Sequence, residues 1–287
     1  MDIKAAVAEI IARAKALDKA LTDFYKQQLA LGREMSITLS SGQDVAFTLP
    51  KVTSSVIVAH RTIPVAISGE LSQIAAQGDQ RTFALELTAD LSDLQQNITE
   101  LLRDQLDTSE TCGQRIAIQQ ATLTPATPAS LLVMRLHFER WMCTRTFGQQ
   151  TSNELAEGDG TVEIKLSAAV EKPNTSPNTL KIAASFGRIA ATGLLEESLR
   201  SGSLGEDMLD KVEQSVQSAA RAASDLKVAL PPAVHNSAVI QSAKFRDVGV
   251  GGLSVVLDGQ IEISNEQAVQ LANQLNQSLS AQAPAAQ

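Results

Sequence analysis

The first 33 residues carry apolar side chains at alternating spacings of four and three. This heptad pattern predicts one long amphipathic helix that ends near Gly32. Such a helix either packs on its own domain or pairs with a partner chain or a second copy of itself. Its apolar seam consists of Ile3, Val7, Ile10, Ala14, Leu17, Leu21 and Phe24.

The following stretch changes to a period of two and then returns to a helical period. Residues 36–49 and 62–89 alternate apolar and polar side chains on both sides of turn-forming residues, which predicts two β-hairpins. Asp90 then stands before a helical stripe, so we expect its side chain to cap a helix. That stripe is formed by Leu91, Leu94, Ile98, Leu101 and Leu102.

A third predicted hairpin extends from Cys112 to Cys143, with its turn at the sequence TPATPA. Apolar and polar side chains alternate along its second arm, which is typical of a strand with one buried face. The predicted inner face comprises Leu132, Met134, Leu136 and Phe138. The predicted outer face comprises Arg135, His137 and Glu139.

A similar order of elements is predicted after residue 150. Two strands flank the turn-rich sequence EKPNTSPN, a helix covers about residues 205–226, and a further hairpin follows. The second arm of that hairpin presents Leu253, Val255 and Leu257 on one face. The chain then ends with a helix whose start has the capping-box pair Ser264 and Gln267.

These elements predict an α+β fold in which curled antiparallel sheets wrap around long amphipathic helices. Ile118-Gln119 recurs as Ile240-Gln241, which favours a duplicated strand-strand-helix-strand-strand unit. The apolar faces of the two hairpins are one residue out of step, so one copy must have a bulge or a different loop. Coincidence between two similar hairpins is the alternative. The expected boundaries are 1–33, 34–150, 151–263 and 264–287.

The chain has two cysteines, Cys112 and Cys143, one at each end of the third predicted hairpin. Arms that pair around TPATPA place them nearly opposite each other, where antiparallel neighbours can form a disulfide. Two reduced structural thiols are the alternative. A metal or redox site is disfavoured, because the spacing is not C-x-x-C and no second ligand pair is near. A disulfide would favour an exported protein.

Composition narrows the classes of function and of location. Aromatic residues make up only 3% of the chain and the formal net charge is −8, which argues against nucleic acid as a partner. No apolar run approaches the roughly 20 residues that span a bilayer. The N-terminal region is charged throughout, unlike a secretory signal peptide. The expected location is the periplasm or cell envelope if a signal was removed, and otherwise the cytoplasm.

No catalytic constellation is evident in the sequence. His60, His137 and His235 are widely separated, and the common nucleophile, zinc-protease and phosphate-loop motifs do not occur. An enzyme would need carboxylates that converge in a pocket, or His60 beside an acidic residue. We therefore predict no catalysis, cofactor or metal. Three carboxylates lack calcium-loop spacing and are expected in a solvated loop, namely Glu154, Glu157 and Asp159.

An aliphatic interior without catalytic groups suits a lipid or another hydrophobic ligand, held in an apolar groove between sheet and helices. A dry packed core is the alternative for the same side chains. The strand residues expected on the groove face are Leu132, Met134, Leu136, Phe138, Leu253, Val255 and Leu257.

The order of elements resembles that of the tubular lipid-binding superfamily, which includes bactericidal/permeability-increasing protein. The resemblance is carried by the N-terminal helix and by the strands around GELSQIAAQGDQRTFALELT and RIAIQQATLTPATPASLLVMRLHFERW, and covers most of residues 35–263. It implies an elongated curled sheet, a lipid groove and no catalytic residues. We therefore expect non-enzymatic binding or transport of a lipid or other hydrophobic ligand. The alternative is an adaptor that docks a partner or itself through Ile3, Val7, Ile10, Leu17, Leu21 and Phe24.

Overall fold

The structure is a computed structural model of the chain. The heptad helix, the first arm of the 36–49 hairpin and His235 lie outside the residues that it describes. The described residues are 46–108, 112–147, 149–171, 179–225, 230–232, 234 and 236–282.

Within these residues the chain forms nine β-strands and four α-helices. The strands are β1 (Ala46–Val58), β2 (Arg61–Gln77), β3 (Gln80–Asp90), β4 (Gly113–Ala126), β5 (Ala129–Thr146), β6 (Gln149–Glu171), β7 (Thr179–Ala190), β8 (Ala238–Asp247) and β9 (Leu253–Ser264). The helices are α1 (Ser92–Leu106), α2 (Gly193–Ser201), α3 (Ser203–Ser224) and α4 (Asn265–Gln282). The α+β class predicted from the sequence is confirmed.

The strands form two antiparallel sheets. One has the order β1-β2-β3-β9-β8, and the other has the order β4-β5-β6-β7. The chain passes from the first sheet to the second through α1 and returns after α3, so that the last two strands complete the first sheet. The pairing of β3 with β9 runs without interruption from Gln80–Ser264 to Asp90–Ser254. It joins two strands that lie far apart in the sequence.

Most strands bury one face, as the period-two alternation predicts, whereas residues 253–257 of β9 are buried on both faces. In β3, for example, Phe83, Leu85 and Leu87 are at most 2% exposed, whereas the intervening side chains are half-buried. The buried faces meet where β8 contacts β4, β5 and β6. Helix α1 packs on β4, β2 and β9, and α3 packs on β7 and on the first three strands. Together they enclose one apolar cluster.

Helix α1 presents a polar stripe to the edge strand β4 beside the apolar stripe that it buries. Gln95, Thr99 and Arg103 follow one another at intervals of four, so they share one face of the helix. Their side chains donate hydrogen bonds to carbonyl oxygens of β4 at 2.7, 2.9 and 2.8 Å. The helix therefore satisfies backbone groups that an edge strand would otherwise leave open.

Helix α3 covers the other edge of the same sheet in the same manner. The Gln217 amide accepts a hydrogen bond from the Ile182 N–H at 2.6 Å and donates one to the Leu180 carbonyl at 2.7 Å. One turn earlier, Glu213 accepts a hydrogen bond from the Ala184 N–H at 3.3 Å. Both edges of the four-stranded sheet are thus covered by helix side chains.

Two local expectations are corrected, and the bounds of one predicted helix are refined. The sequence NELAEGDG lies in strand β6 and not in a loop, because its backbone pairs with β5 up to Gln149. The helix predicted at 205–226 begins at Ser203, and a separate helix precedes it across Gly202. Asp90 ends β3, and the N-cap position is Leu91, although the Asp90 carboxylate accepts the Ser92 N–H at 2.9 Å.

The capping box at the start of α4 is confirmed. The Gln267 side chain accepts a hydrogen bond from the Ser264 N–H at 3.0 Å, and the Ser264 hydroxyl accepts one from the Gln267 N–H at 3.2 Å. These two reciprocal bonds satisfy amide groups that the first helical turn leaves free. They also fix the point where β9 becomes a helix.

The order β2-β3-α1-β4-β5 recurs as β6-β7, two helices and β8-β9. Hairpins β4–β5 and β8–β9 each have an irregularity in register at a matching position, at Gln119 and at Gln241. The sheets themselves are not equivalent, because β3 joins β9 in one sheet whereas β6, not β7, joins β5 in the other. The duplication and the curled wrapping of the sheets therefore stay predictions.

Candidate functional site

The predicted groove residues come from two strands on different sheets. Each is at most 1% exposed, and all belong to the one apolar cluster of the interior. The structure therefore places them on inner faces, as the alternation predicts, and packs them against other side chains. Their role as a ligand groove stays a prediction. They are Leu132, Met134, Leu136 and Phe138 on β5, and Leu253, Val255 and Leu257 on β9.

The two cysteines form a disulfide, as the symmetry of the hairpin predicts. Its S–S distance is 2.02 Å and the two Cα atoms are 5.6 Å apart. Cys112 directly precedes β4, whose first residue, Gly113, pairs with Trp141. Cys143 lies two residues farther along β5. The bond therefore ties the beginning of an edge strand to the strand beside it.

A charged cluster surrounds His137 on the outer face of the four-stranded sheet. Its Nδ1 atom is 3.1 Å from an Asp159 carboxylate oxygen. Its Nε2 atom is 3.5 Å from Glu139 and 3.6 Å from Glu157. The register explains this, because His137 pairs directly with Asp159 on β6, and Glu139 pairs with Glu157. The sequence predicts His137 and Glu139 on the outer face but not the neighbouring Asp159 and Glu157.

The electrostatics of this cluster favour a charged imidazole. The hydrogen bond with Asp159 raises the pKa of His137, and the charges of Asp159 and Glu157 act in the same direction against the effect of burial. The Trp141 N–H donates to Glu139 at 2.6 Å and, with Arg115, lowers the pKa of that carboxyl. Both ring nitrogens of a protonated His137 face carboxylates, so the ring is poorly placed to accept a substrate proton.

A pocket of about 330 Å³ is lined in part by His137 and Glu139 of this cluster. The Arg115 guanidinium sits 4.8 Å from the centre of the Trp141 ring and 3.2 Å from Glu139. The Thr108 hydroxyl is not free as a nucleophile, because it accepts the Ile116 N–H at 3.0 Å. The pocket is lined by Thr108, Arg115, Ile116, Ala117, His137 and Glu139.

A second pocket of about 290 Å³ lies where α3 covers β7. Its polar walls include Gln217 and Glu213, which already bind the backbone of that strand. Neither of these two pockets includes a predicted groove residue. His60, the other histidine in the described part of the chain, lies in the exposed turn between β1 and β2 with φ of 65°.

The acidic, histidine and cysteine side chains and the helices of the described residues define two further properties. In that part of the chain, no group of three or more His, Cys, Asp and Glu side chains is arranged to hold a metal ion. No helix there has the length and the apolar character needed to cross a membrane.

Comparison with known proteins leaves the class of protein to be argued from the structure. No protein-family model matches the chain, and no curated protein is significantly similar to it. The resemblance to the tubular lipid-binding superfamily therefore stays a hypothesis. The observed class is an α+β protein with two antiparallel sheets, an aliphatic interior and one disulfide.

Proposed function

We propose that this protein binds or transports a lipid or another hydrophobic ligand without catalysis, and that the ligand lies between its two sheets. The observation that supports this is the joint inner face of β5 and β9. Seven aliphatic or aromatic side chains from two sheets pack in one cluster, and such surfaces bind alkyl chains without directed polar contacts.

The residues of α3 that face the interior add to this surface. Met208, Val212 and Val216 are fully buried, and next to them stand Ala219 and Ala220. Small residues let the helix approach the sheets closely, and methionine adapts its shape to irregular partners. Each methylene that a ligand buries contributes about 0.8 kcal/mol, which is the driving force for parting the helix from the sheets.

Native mass spectrometry of the protein purified from its host, followed by lipid extraction, tests this function. We expect a mass above that of the bare chain, and a lipid enriched over a mock purification. Met134→Ala should change the affinity for that ligand, because Met134 lies in the proposed groove. Ile74→Ala, at an exposed position of β2 outside the groove, should not. A bare-chain mass with only background lipid, or equal effects of the two variants, would refute the proposal.

The disulfide supports a location in an oxidising compartment, since cytosolic thiols are normally kept reduced. We therefore propose that the protein is located in the periplasm or cell envelope. Labelling free thiols immediately after lysis of host cells tests this location. Protection of both cysteines is the expected result, and labelling of both in the native host would contradict it.

We also retain the duplication as a proposal. The irregularities at Gln119 and Gln241 support it, because a bulge at the same place in two hairpins is a specific backbone feature. A structure of a close homologue in which the two hairpins superpose with both bulges aligned would support a common origin. Bulges at unrelated positions in homologues would argue for coincidence.

A further inference from the structure

Strands β5 and β6 continue beyond the rest of their sheet. The pairing of β4 with β5 stops at Gly113–Trp141, and the pairing of β7 with β6 stops at Thr161–Ala190. The segment from residue 142 to residue 153, called the β5–β6 ribbon below, pairs only with itself among the described residues. At about 3.4 Å per residue it projects roughly 17 Å beyond the end of β4.

The ribbon presents apolar side chains to solvent. Phe147 stands at its turn, fully exposed and with φ of 51°. Met142 on the ribbon is 45% exposed. Elsewhere in the described structure Phe83, Phe138 and Phe245 are all buried. In a chain with so few aromatic residues, a phenylalanine at the apex of a projecting hairpin has no role in packing the core, and aromatic side chains are enriched at interaction surfaces relative to the rest of a protein surface.

The charge of this segment differs from that of the whole protein. From Met142 to Asn153 the sequence contains one arginine and no aspartate or glutamate, whereas the chain has a net charge of −8. Arg145 on the ribbon is exposed. An exposed aromatic ring flanked by arginine and free of carboxylates is complementary to an anionic bilayer surface, where the ring enters the interface and the guanidinium binds head groups.

We propose that the β5–β6 ribbon docks this protein onto an anionic lipid bilayer by inserting Phe147 into the membrane surface. The disulfide holds the base of the ribbon, because it joins Cys143 to the residue that precedes β4. The ribbon therefore reaches the surface as a braced element, which lowers the entropy lost on docking. This surface is separate from the space between the sheets. The failure of the docking proposal would therefore leave the proposed ligand binding unaffected, and the reverse also holds.

Co-sedimentation of the full chain with vesicles tests the proposal. Vesicles of phosphatidylglycerol and phosphatidylcholine are compared with vesicles of phosphatidylcholine alone, at low and high salt. Binding to the anionic vesicles should weaken as the salt concentration rises, since screening reduces the attraction between Arg145 and the anionic head groups. Phe147→Ser should reduce the partition coefficient roughly 10- to 100-fold, as expected for the loss of one buried aromatic side chain.

Val250→Ser is the matched control. Val250 is also fully exposed and also lies in a hairpin turn with positive φ, but in the β8–β9 turn. The Val250→Ser variant should bind the anionic vesicles as the wild-type protein does. Phe147→Trp provides a second measurement. This variant should still bind the anionic vesicles, and brominated lipids should quench its tryptophan fluorescence more than they quench the fluorescence of Trp141 in the wild-type protein. Circular dichroism verifies that each variant is folded.

Three results would overturn the proposal. The first is no sedimentation of the wild-type protein with anionic vesicles. The second is an equal effect of Phe147→Ser and Val250→Ser. The third is cross-linking of the ribbon to a host protein together with no quenching of Phe147→Trp by brominated lipid, which would assign the surface to a protein partner.

Discussion

The covering of the β4 edge by helix α1 can be tested at Gln95. Its amide donates to the Leu123 carbonyl at 2.7 Å and to the Gly251 carbonyl at 2.9 Å, and it accepts the Leu253 N–H at 3.2 Å. One side chain thus joins a strand of the second sheet to the β8–β9 turn and β9 of the first. Gln95→Met removes all three bonds and keeps the length and helix propensity of the side chain.

The cost follows from the number of bonds and from the burial of their partners. Each net hydrogen bond contributes about 1 kcal/mol, and a buried N–H left without a partner costs about 1–3 kcal/mol. The thioether of methionine offsets part of this loss by burying apolar surface. We therefore expect Gln95→Met to lower the free energy of unfolding by about 2–4 kcal/mol.

Urea unfolding followed by the fluorescence of Trp141 and by circular dichroism measures this loss. Gln96→Met is the control, because the adjacent Gln96 is exposed and its replacement should stay within about 0.5 kcal/mol of wild type. Amide exchange should also accelerate at Leu253. If both variants have the same stability, the amide of Gln95 contributes nothing and the argument for edge covering is wrong.

Three further predictions concern pH, backbone space and the disulfide. The pKa of His137 is raised above 6.5, so its stabilisation is complete below that pH and is lost as pH rises through the folded-state pKa. His137→Asn should therefore destabilise more at about pH 5.5 than at about pH 9. Gly259→Ala would place its Cβ against the Val239 carbonyl of β8 and should cost about 1–3 kcal/mol. Replacing both cysteines with serine should cost about 3–4 kcal/mol, given the 31-residue separation.

Each of these has a result that would contradict it. A pH-independent effect of His137→Asn would mean that the carboxylates around the ring do not stabilise its charge. Gly158→Ala has open space around the new methyl, so a cost equal to that of Gly259→Ala would exclude a steric origin. An unchanged melting temperature of the double serine variant would show that the hairpin needs no cross-link.

The alternation of apolar and polar residues predicts the faces of strands well, because the side-chain period of a strand is fixed by its own backbone. Leu132, Met134 and Leu136 are predicted as inward-facing and are buried. The pairing of Cys112 with Cys143 is predictable for the same local reason, since a hairpin with a known turn sets its own register.

The partners of the strands could not be predicted in this way. The neighbouring positions of β3 and β9, which lie far apart in sequence, depend on how two sheets and two helices pack together. NELAEGDG lacks the composition of a strand, yet the long ladder with β5 keeps it extended, since strand propensity yields to context. The positions of Asp159 and Glu157 beside His137 follow from that same unpredicted pairing.

Helices α1 and α3 show what a hydrophobic stripe alone leaves out. A polar side chain next to the stripe is usually assigned to solvent, but Gln95 and Gln217 bind strand backbone instead. An amphipathic helix beside a sheet edge therefore has two structural faces, one for the core and one for the edge. Helix side chains thus cover part of both edges of the four-stranded sheet, whereas the β5–β6 ribbon has no strand beside it within the described residues. The proposed docking of Phe147 on a bilayer therefore starts from a segment that neither another strand nor these helix side chains cover.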